Sequence, residues 1–207
     1  LTERVLQFGE GNFLRGFVDW MIDKLNKKNG GDYGVTIVQP LAGGLVDKLN
    51  AQDGRYSLYL RGLLKGEKVE ETRIVDCVTR GINPYTNTDE FFDCAKNPDL
   101  RFIVSNTTEA GIEYKPNQNP DDFNGLTFPG RLTLFMKKRF DEELGGFILL
   151  PCELIDKNGD NLKECILKYS EDWGYGGEFE KWIETENHFT NTLVDRIVTG
   201  YPRDNAK

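Results

Sequence analysis

The sequence predicts an α/β fold, a doubly wound and mostly parallel sheet with an inserted antiparallel hairpin. Three observations predict it. Short apolar or β-branched runs alternate with stretches of helical periodicity along nearly the whole chain. A glycine-rich turn separates the first strand from the first helix. In the middle, two β-rich runs flank a short polar turn, the pattern of a hairpin rather than of a strand–helix unit.

The elements follow in order. Arg4-Val5-Leu6-Gln7-Phe8 is a short apolar run, broken by Gly9-Glu10-Gly11-Asn12. From Phe13 the apolar positions take helical spacing, at Phe13, Phe17, Trp20, Met21 and Leu25, with Asp19, Asp23 and Lys27 between them. Asn26-Lys27-Lys28-Asn29-Gly30-Gly31 closes that helix with cations and glycines. Val35-Thr36-Ile37-Val38 is short and branched enough for a buried parallel strand, so the opening forms a right-handed βαβ unit. Tyr56-Ser57-Leu58-Tyr59-Leu60-Arg61 and Arg73-Ile74-Val75-Asp76-Cys77-Val78 pair around Lys65-Gly66-Glu67 as the hairpin. Asn87-Thr88-Asp89-Glu90 starts a helix over Phe91-Phe92-Asp93-Cys94-Ala95. Leu100-Arg101-Phe102-Ile103-Val104-Ser105-Asn106 is a core strand, and residues 115–122 are a surface loop. Residues 132–140 are helical, 146–151 form a further buried strand, and helices follow over 158–168 and 179–186.

Composition bounds the function. The chain has 207 residues, 38% hydrophobic and 12% aromatic, enough for one large domain with a sizeable core. With 26 Lys+Arg against 34 Asp+Glu the net charge is −8, which speaks against a nucleic-acid partner held by phosphate contacts. No run of 18 apolar residues and no basic-then-apolar leader occurs, so no membrane span is expected and the cytoplasm is the expected location. An opening Leu1 followed at once by a strand suggests a piece of a longer chain. Cys77, Cys94, Cys152 and Cys165 form no C-x-x-C pair and read as reduced core thiols. His188 is the single histidine, so zinc sites needing two or three imidazoles are excluded and no metal is expected.

The turn at Gly9-Glu10-Gly11-Asn12-Phe13-Leu14-Arg15-Gly16 carries the chemistry. Glycines between a first strand and its helix let a diphosphate approach backbone N–H groups. The strict dinucleotide fingerprint would place its third glycine at Leu14, and Gly16 comes two residues late. On spacing alone, a merely structural turn is equally consistent. Its place at the first βα crossing favours the nucleotide. Arg15 can reach a phosphate or a carboxylate, or can be a solvated helix residue. The second strand ends Val38-Gln39-Pro40 with no carboxylate for a ribose; Gln39 can hydrogen-bond a ribose hydroxyl, and no Arg or Lys stands there for a 2′-phosphate. NAD is therefore favoured over NADP.

Four stretches carry a resemblance to a known family: Gln7-Phe8-Gly9-Glu10-Gly11-Asn12-Phe13-Leu14-Arg15, Ser105-Asn106-Thr107-Thr108-Glu109-Ala110-Gly111, Pro151-Cys152-Glu153-Leu154-Ile155-Asp156-Lys157-Asn158-Gly159 and Phe189-Thr190-Asn191-Thr192-Leu193-Val194-Asp195-Arg196-Ile197. Together they resemble the mannitol dehydrogenase family of polyol-specific long-chain dehydrogenases, and the last stretch is the most specific. The resemblance implies a Rossmann-like NAD-binding domain over residues 1–200. Residues 201–207 would then begin the connection to a helical C-terminal domain, absent from this chain, which supplies a lysine general base. Lys207 is not taken for that base. The resemblance implies that Gly9, Gly11, Asn12, Phe13 and Arg15 hold the coenzyme with Thr108 and Glu109, that Asn158 steadies the substrate oxygen as charge develops, and that Asp195 and Arg196 lie near the substrate. Glu153 and Asp156 are weaker candidates, since carboxylates beside a strand end are often helix caps.

Mannitol-acting members have histidine where this chain has Phe17, so the resemblance points to the branch acting on sugar acids. The implied reaction is hydride transfer between NAD(H) and the tagaturonate/altronate pair, with a related polyol or fructuronate dehydrogenase as the alternative. The implied partners are a small sugar acid and the chain's own C-terminal domain. Three competing readings remain: a non-catalytic nucleotide-binding module, a transferase for phosphorylated sugars, and an interaction protein with a degenerate turn.

Overall fold

The computed structural model describes residues 1–108 and 110–201. In chain order its first half runs β1 (Thr2–Phe8), α1 (Asn12–Gly16), α2 (Val18–Asn29), β2 (Tyr33–Val38), α3 (Val46–Ala51), β3 (Tyr56–Leu64), β4 (Glu67–Val75) and β5 (Val78–Ile82). The second half runs α4 (Thr88–Cys94), β6 (Phe102–Ser105), α5 (Phe128–Asp141), β7 (Ile148–Pro151), α6 (Asn158–Asp172), α7 (Gly177–Glu186) and β8 (His188–Phe189).

Six strands form one sheet in the order β5-β2-β1-β6-β7-β8, and every neighbouring pair is parallel. From β1 the chain winds outward through β2 to β5, then returns to lay β6 on the other side of β1 and winds outward again. The strand order therefore reverses between β1 and β6, and a crevice opens there at the carboxyl ends of the strands. Buried side chains fill both faces of the sheet. Phe91, Leu132, Phe135, Ile166 and Phe179 from the later helices cover one face, while Leu14, Val46, Leu49 and the hairpin base at Val75 and Cys77 cover the other. β3 and β4 stand apart as a two-stranded antiparallel ribbon around Lys65 and Gly66, as the sequence predicts.

Three departures from the sequence expectation matter. The first helix is broken at Phe17 (φ −120°, ψ −76°), whose N–H turns back to the Leu14 carbonyl at 3.2 Å. Gly16, at the break, sits directly under Val198 of the C-terminal tail and Leu58 of the hairpin. The buried face of α2 is also not the apolar one. Met21 and Leu25 are exposed, whereas Asp19 and Asp23 are fully buried against the hairpin. Third, the run from Arg73 to Val78 is not one strand. β4 ends at Val75, the Asp76 N–H donates to Asp23 at 3.3 Å, and β5 departs to join β2. The short α3 and β8 have no counterpart in the sequence expectation. Cys77, Cys94, Cys152 and Cys165 are buried and free. Among the described residues no helix is long and apolar enough to cross a membrane.

Candidate coenzyme site

The glycine turn lies at the reversal of strand order. Gly9 follows β1 with φ +127°, and its N–H donates to the Val38 carbonyl of β2 at 3.1 Å. On the other side the Asn106 N–H, just past β6, donates to the Phe8 carbonyl at 3.0 Å. A Cβ at Gly9 would stand 2.9 Å from the Asn106 carbonyl oxygen, so both the dihedral and the squeeze between strand ends demand glycine. Gly11 is different. Its backbone is extended (φ −66°, ψ 167°), a side chain there would meet no described heavy atom within 4 Å, and no side chain caps the helix it precedes. The first N–H groups of α1 have no intrahelical partners. The space a side chain at Gly11 would fill, beside them, holds no described atom.

Asn12 and Arg15 shape this turn. Arg15 donates from Nε to the Glu10 carbonyl at 2.9 Å and from Nη2 to Asn12 Oδ1 at 2.7 Å, and its guanidinium lies over the Tyr56 ring. It is a clamp on the turn, not a solvated residue. Phe13 packs on Phe17 with centroids 5.4 Å apart. Because α1 spans only five residues before the break, the site rests on these local N–H groups rather than on a long helix dipole.

At the end of β2, Gln39 is buried and spends its amide on its own loop, donating to Leu41 and Ala42 carbonyls and accepting from the Val46 N–H. It is not free for a ribose hydroxyl. A cation that the sequence expectation does not include also arrives here. Arg131, from α5, donates to the carbonyls of Pro40, Phe123 and Asn124, all at 3.2 Å, and stacks over Tyr85 and Phe123. Its charge is tied to three carbonyls, which leaves it unsuited to a 2′-phosphate. Nothing local in Phe128-Pro129-Gly130-Arg131 signals this, since every partner comes from another loop. A narrow apolar cavity lined by Phe8, Val38, Pro84 and Phe128 lies beside it.

Beyond β6 the backbone is strained. Thr108 has φ +96°, an unusual conformation for a β-branched residue. Just before it, Thr107 donates its N–H and its hydroxyl to Glu153 Oε1, both at 3.0 Å, and Ser105 donates its hydroxyl to Glu153 Oε2 at 3.0 Å. Glu153 is buried, so it is no helix cap. It ties the segment after β6 to the segment after β7. Gly111 lies so close to the Thr107 hydroxyl that any Cβ would collide with it. Glu109 lies outside the described residues.

Asn158 opens α6 just past the end of β7. It is completely buried at the start of α6; its amide nitrogen donates to the carbonyls of Pro151 (3.0 Å), Glu153 (3.1 Å) and Thr192 (3.2 Å), and its oxygen accepts the N–H groups of Gly159 and Thr192, each at 2.9 Å. Through both ends of its amide it braces the 151–157 loop against the tail. The sequence expectation gives this residue to a substrate oxygen; in this chain its amide is engaged by the 151–157 loop and the tail. Asp156 is likewise no cap, since α6 starts from Lys157 in the left-handed region (φ 50°) with no side-chain cap.

Residues 191–192 hydrogen-bond to the start of α6, the tail then passes over α2 and α1, and from 191 to 200 the odd-numbered residues are exposed and the even-numbered ones half-buried. Val198 rests on Gly16, and Arg196 lies 4.3 Å over the Trp20 ring. Asp195 points the other way and is exposed. The alternation turns the two residues to opposite sides, and Arg196 is held on a helix rather than at the strand ends.

The comparisons with known proteins agree with this layout. The model of the mannitol dehydrogenase Rossmann domain matches residues 3–207. The chain is 47% identical over 207 residues to the altronate oxidoreductases of Cronobacter sakazakii and of an Enterobacter species, covering 98% of this chain and 43% of each of them. It thus spans less than half the length of the curated relatives it matches. Among solved structures it superposes on Pseudomonas fluorescens mannitol 2-dehydrogenase, in ternary complex with NAD and D-mannitol, with a TM-score of 0.85 at 20% identity over 98% of this chain and 44% of that one. A substrate-free D-sorbitol dehydrogenase follows with a TM-score of 0.80, 20% identity, and coverage of 99% and 44%. The backbone therefore follows the fold of these dehydrogenases over nearly all of the chain, with the glycine turn at the reversal of strand order, and the chain belongs to the mannitol dehydrogenase family as its Rossmann domain.

Proposed function

We propose that this chain is the coenzyme-binding half of an NAD-dependent oxidoreductase that interconverts tagaturonate and altronate in the cytoplasm. The carrying observation is the 9–12 turn, with Gly9 pinned between β2 and β6 while the space above Gly11 stays open. The residues present fit a diphosphate, because the first amides of α1 have no side-chain cap and no described atom fills the space beside Gly11. The identity to altronate oxidoreductases supports the sugar-acid substrate, and the NAD in the mannitol 2-dehydrogenase complex supports the coenzyme. The end of β2, where Arg131 is committed to carbonyls, supports NAD over NADP.

A nicotinamide coenzyme supplies or accepts the hydride. This chain's residues position it. The amides of residues 11–13 receive the diphosphate, and Arg15 keeps the turn in shape through the Glu10 carbonyl and Asn12. The strained Thr108 follows Thr107, which Glu153 fixes at the end of β6, so this segment would border the coenzyme's reacting end; Glu109 is carried as a coenzyme-binding residue on the family resemblance alone. Asn158 acts as a brace in this reading. Arg196, lying on Trp20, is not assigned to the substrate carboxylate, nor is Asp195, which is turned outward. Proton transfer is assigned to a lysine outside this chain, as the family resemblance implies.

The test is a spectrophotometric assay of the full-length protein with NADH and a panel of ketouronates, with fructose and fructuronate as controls for sister activities. Consumption of NADH with tagaturonate is expected. Absence of NADH binding, or preference for an uncharged ketose, would overturn the reading.

A further inference from the structure

Behind the glycine turn lies a buried polar network that the proposed reaction does not use. Gln7, the penultimate residue of β1, donates from Nε2 to the Gly9 carbonyl at 3.0 Å and to Asp19 Oδ2 at 3.4 Å. The Tyr56 hydroxyl, from β3, lies 2.8 Å from the Arg15 carbonyl and 3.2 Å from the same Asp19 oxygen. Asp19 itself is fully buried, and neither its Oδ1 nor Gln7 Oε1 has a hydrogen-bond partner among the described residues.

Counting protons shows what is missing. The Arg15 carbonyl can only accept, and it makes the shorter contact, so the one hydroxyl proton of Tyr56 belongs there. An ionised Asp19 would then face a tyrosine lone pair at 3.2 Å and hold a single long hydrogen bond from Gln7. The nearby Arg15 guanidinium makes no ion pair with it, being turned to Glu10 and Asn12. A buried carboxylate so poorly solvated is costly. One added proton on Asp19, donated to the Tyr56 oxygen, completes the chain.

We propose that Asp19 is the neutral acid in the folded protein and is a positioning residue for the coenzyme turn, donating to Tyr56, which holds the Arg15 carbonyl, while Gln7 links Asp19 to the Gly9 carbonyl. The inference rests on the coenzyme reading above only for what the turn receives. The groups facing Asp19 leave it as the one that titrates near neutrality. Burial raises its carboxyl to about 7, against the smaller pull of hydrogen bonds from Gln7 and Tyr56 and of the Arg15 charge. From β3 and the segment before β5, burial and the nearby Asp19 drive the Tyr56 hydroxyl and the Cys77 thiol upward, away from neutral pH. On α2 itself, Asp23 is kept ionised by Lys27 and Arg73, with Asp76 alongside Lys27. From the tail, Arg196 lies on the Trp20 ring. When Asp19 ionises, it draws the Tyr56 proton from the Arg15 carbonyl and loosens the turn.

The sign follows from proton linkage. Between the unfolded value, about 3.9, and the folded value the native chain holds one more proton than the unfolded chain. This contribution to stability is complete below the lower value and is lost as pH rises through about 7.

The test has two readouts. Infrared spectroscopy of protein with isotope-labelled aspartate should show a protonated buried carboxyl at pH 6 that fades toward pH 8 and is missing in Asp19→Asn. Calorimetric titration with NADH should show affinity falling by up to about tenfold from pH 6 to pH 8. In Asp19→Asn, where the amide mimics the neutral acid, affinity should stay at the pH 6 level across that range. Absence of the carboxyl band at pH 6 would overturn the inference while leaving the coenzyme reading intact, and the wild-type spectrum decides this even should the variant fail to fold. An Asp19→Asn protein that keeps the wild-type pH profile would overturn the positioning role. A persistent band with no NADH binding at either pH would instead remove the coenzyme reading and leave the neutral aspartate standing.

Discussion

Two strand-to-helix crossings of the same sheet, β1 to α1 and β7 to α6, are built from similar residues and end in opposite states. Both carry glycine and asparagine at the start of a helix, and both lie at strand carboxyl ends. At the first, the asparagine side chain is exposed, Gly11 faces open space, and the helix start has no side-chain cap. At the second, Asn158 is buried with its amide saturated, and Gly159 is pressed so tightly on the Thr190 carbonyl that a Cβ would collide. The difference lies in what passes over each. The tail covers the second crossing with Thr190, Asn191 and Thr192, whereas Gly200 reaches the first at the Asn12 side chain and leaves the space over Gly11 open. A polar strand end becomes a binding site only where the chain does not satisfy its own donors.

Substitutions at the two crossings test the contrast. The largest effect is expected at Asn158→Ala. Removing the brace strands the Thr192 N–H and several carbonyls in a buried setting and should cost about 2–4 kcal/mol of unfolding free energy, read by urea denaturation. A protein with unchanged stability and lost activity would instead return this residue to the substrate. Next is Gly9→Ala, which forces φ +127° and a 2.9 Å contact on an L residue and should cost about 1–3 kcal/mol. Gly11→Ala is the sharper probe, since the backbone accepts alanine and the methyl group meets no described atom of the protein. Its stability should move by less than about 0.5 kcal/mol. NADH affinity should still fall, because the methyl would enter the space proposed for the diphosphate.

Smaller effects separate the two aspartates of α2. Burial pushes the Asp23 carboxyl up, but hydrogen bonds from Lys27 and Arg73 and from the Asp76 backbone together hold it below its ordinary value of 3.8. Its contribution is therefore present above that value and lost as pH falls through the lower, folded value, opposite in sign to Asp19. Asp23→Asn should destabilise the protein at pH 7 and hardly at all in strong acid. Arg196→Ala should be the mildest, about 0.5–1 kcal/mol from the lost stacking on Trp20, with coenzyme affinity unchanged.

The legible parts of the molecule are those whose causes are local. The first βαβ unit and the hairpin turn at Lys65-Gly66 follow from side-chain period and turn residues within a few positions. The face of α2 does not, because its buried aspartates meet partners from β3 and β4. Arg73 meets Asp23 across 50 residues of sequence, and Tyr56 meets Asp19 across 37. The brace at Asn158 is hidden for the same reason, as its partner Thr192 is 34 residues away. The glycine turn is ambiguous on spacing, since Leu14 stands where the fingerprint wants glycine. Leu14 is a buried core residue, and Gly9 and Gly11 alone suffice to pin one end of the turn and open the other.

The most direct measurement is an amide NMR titration of the protein with NAD. The signals of Gly11, Asn12 and Phe13 should shift saturably while those of Asn158 and Gly159 stay in place. Shifts at the second crossing with none at the first, or no saturable shift at either, would contradict the account.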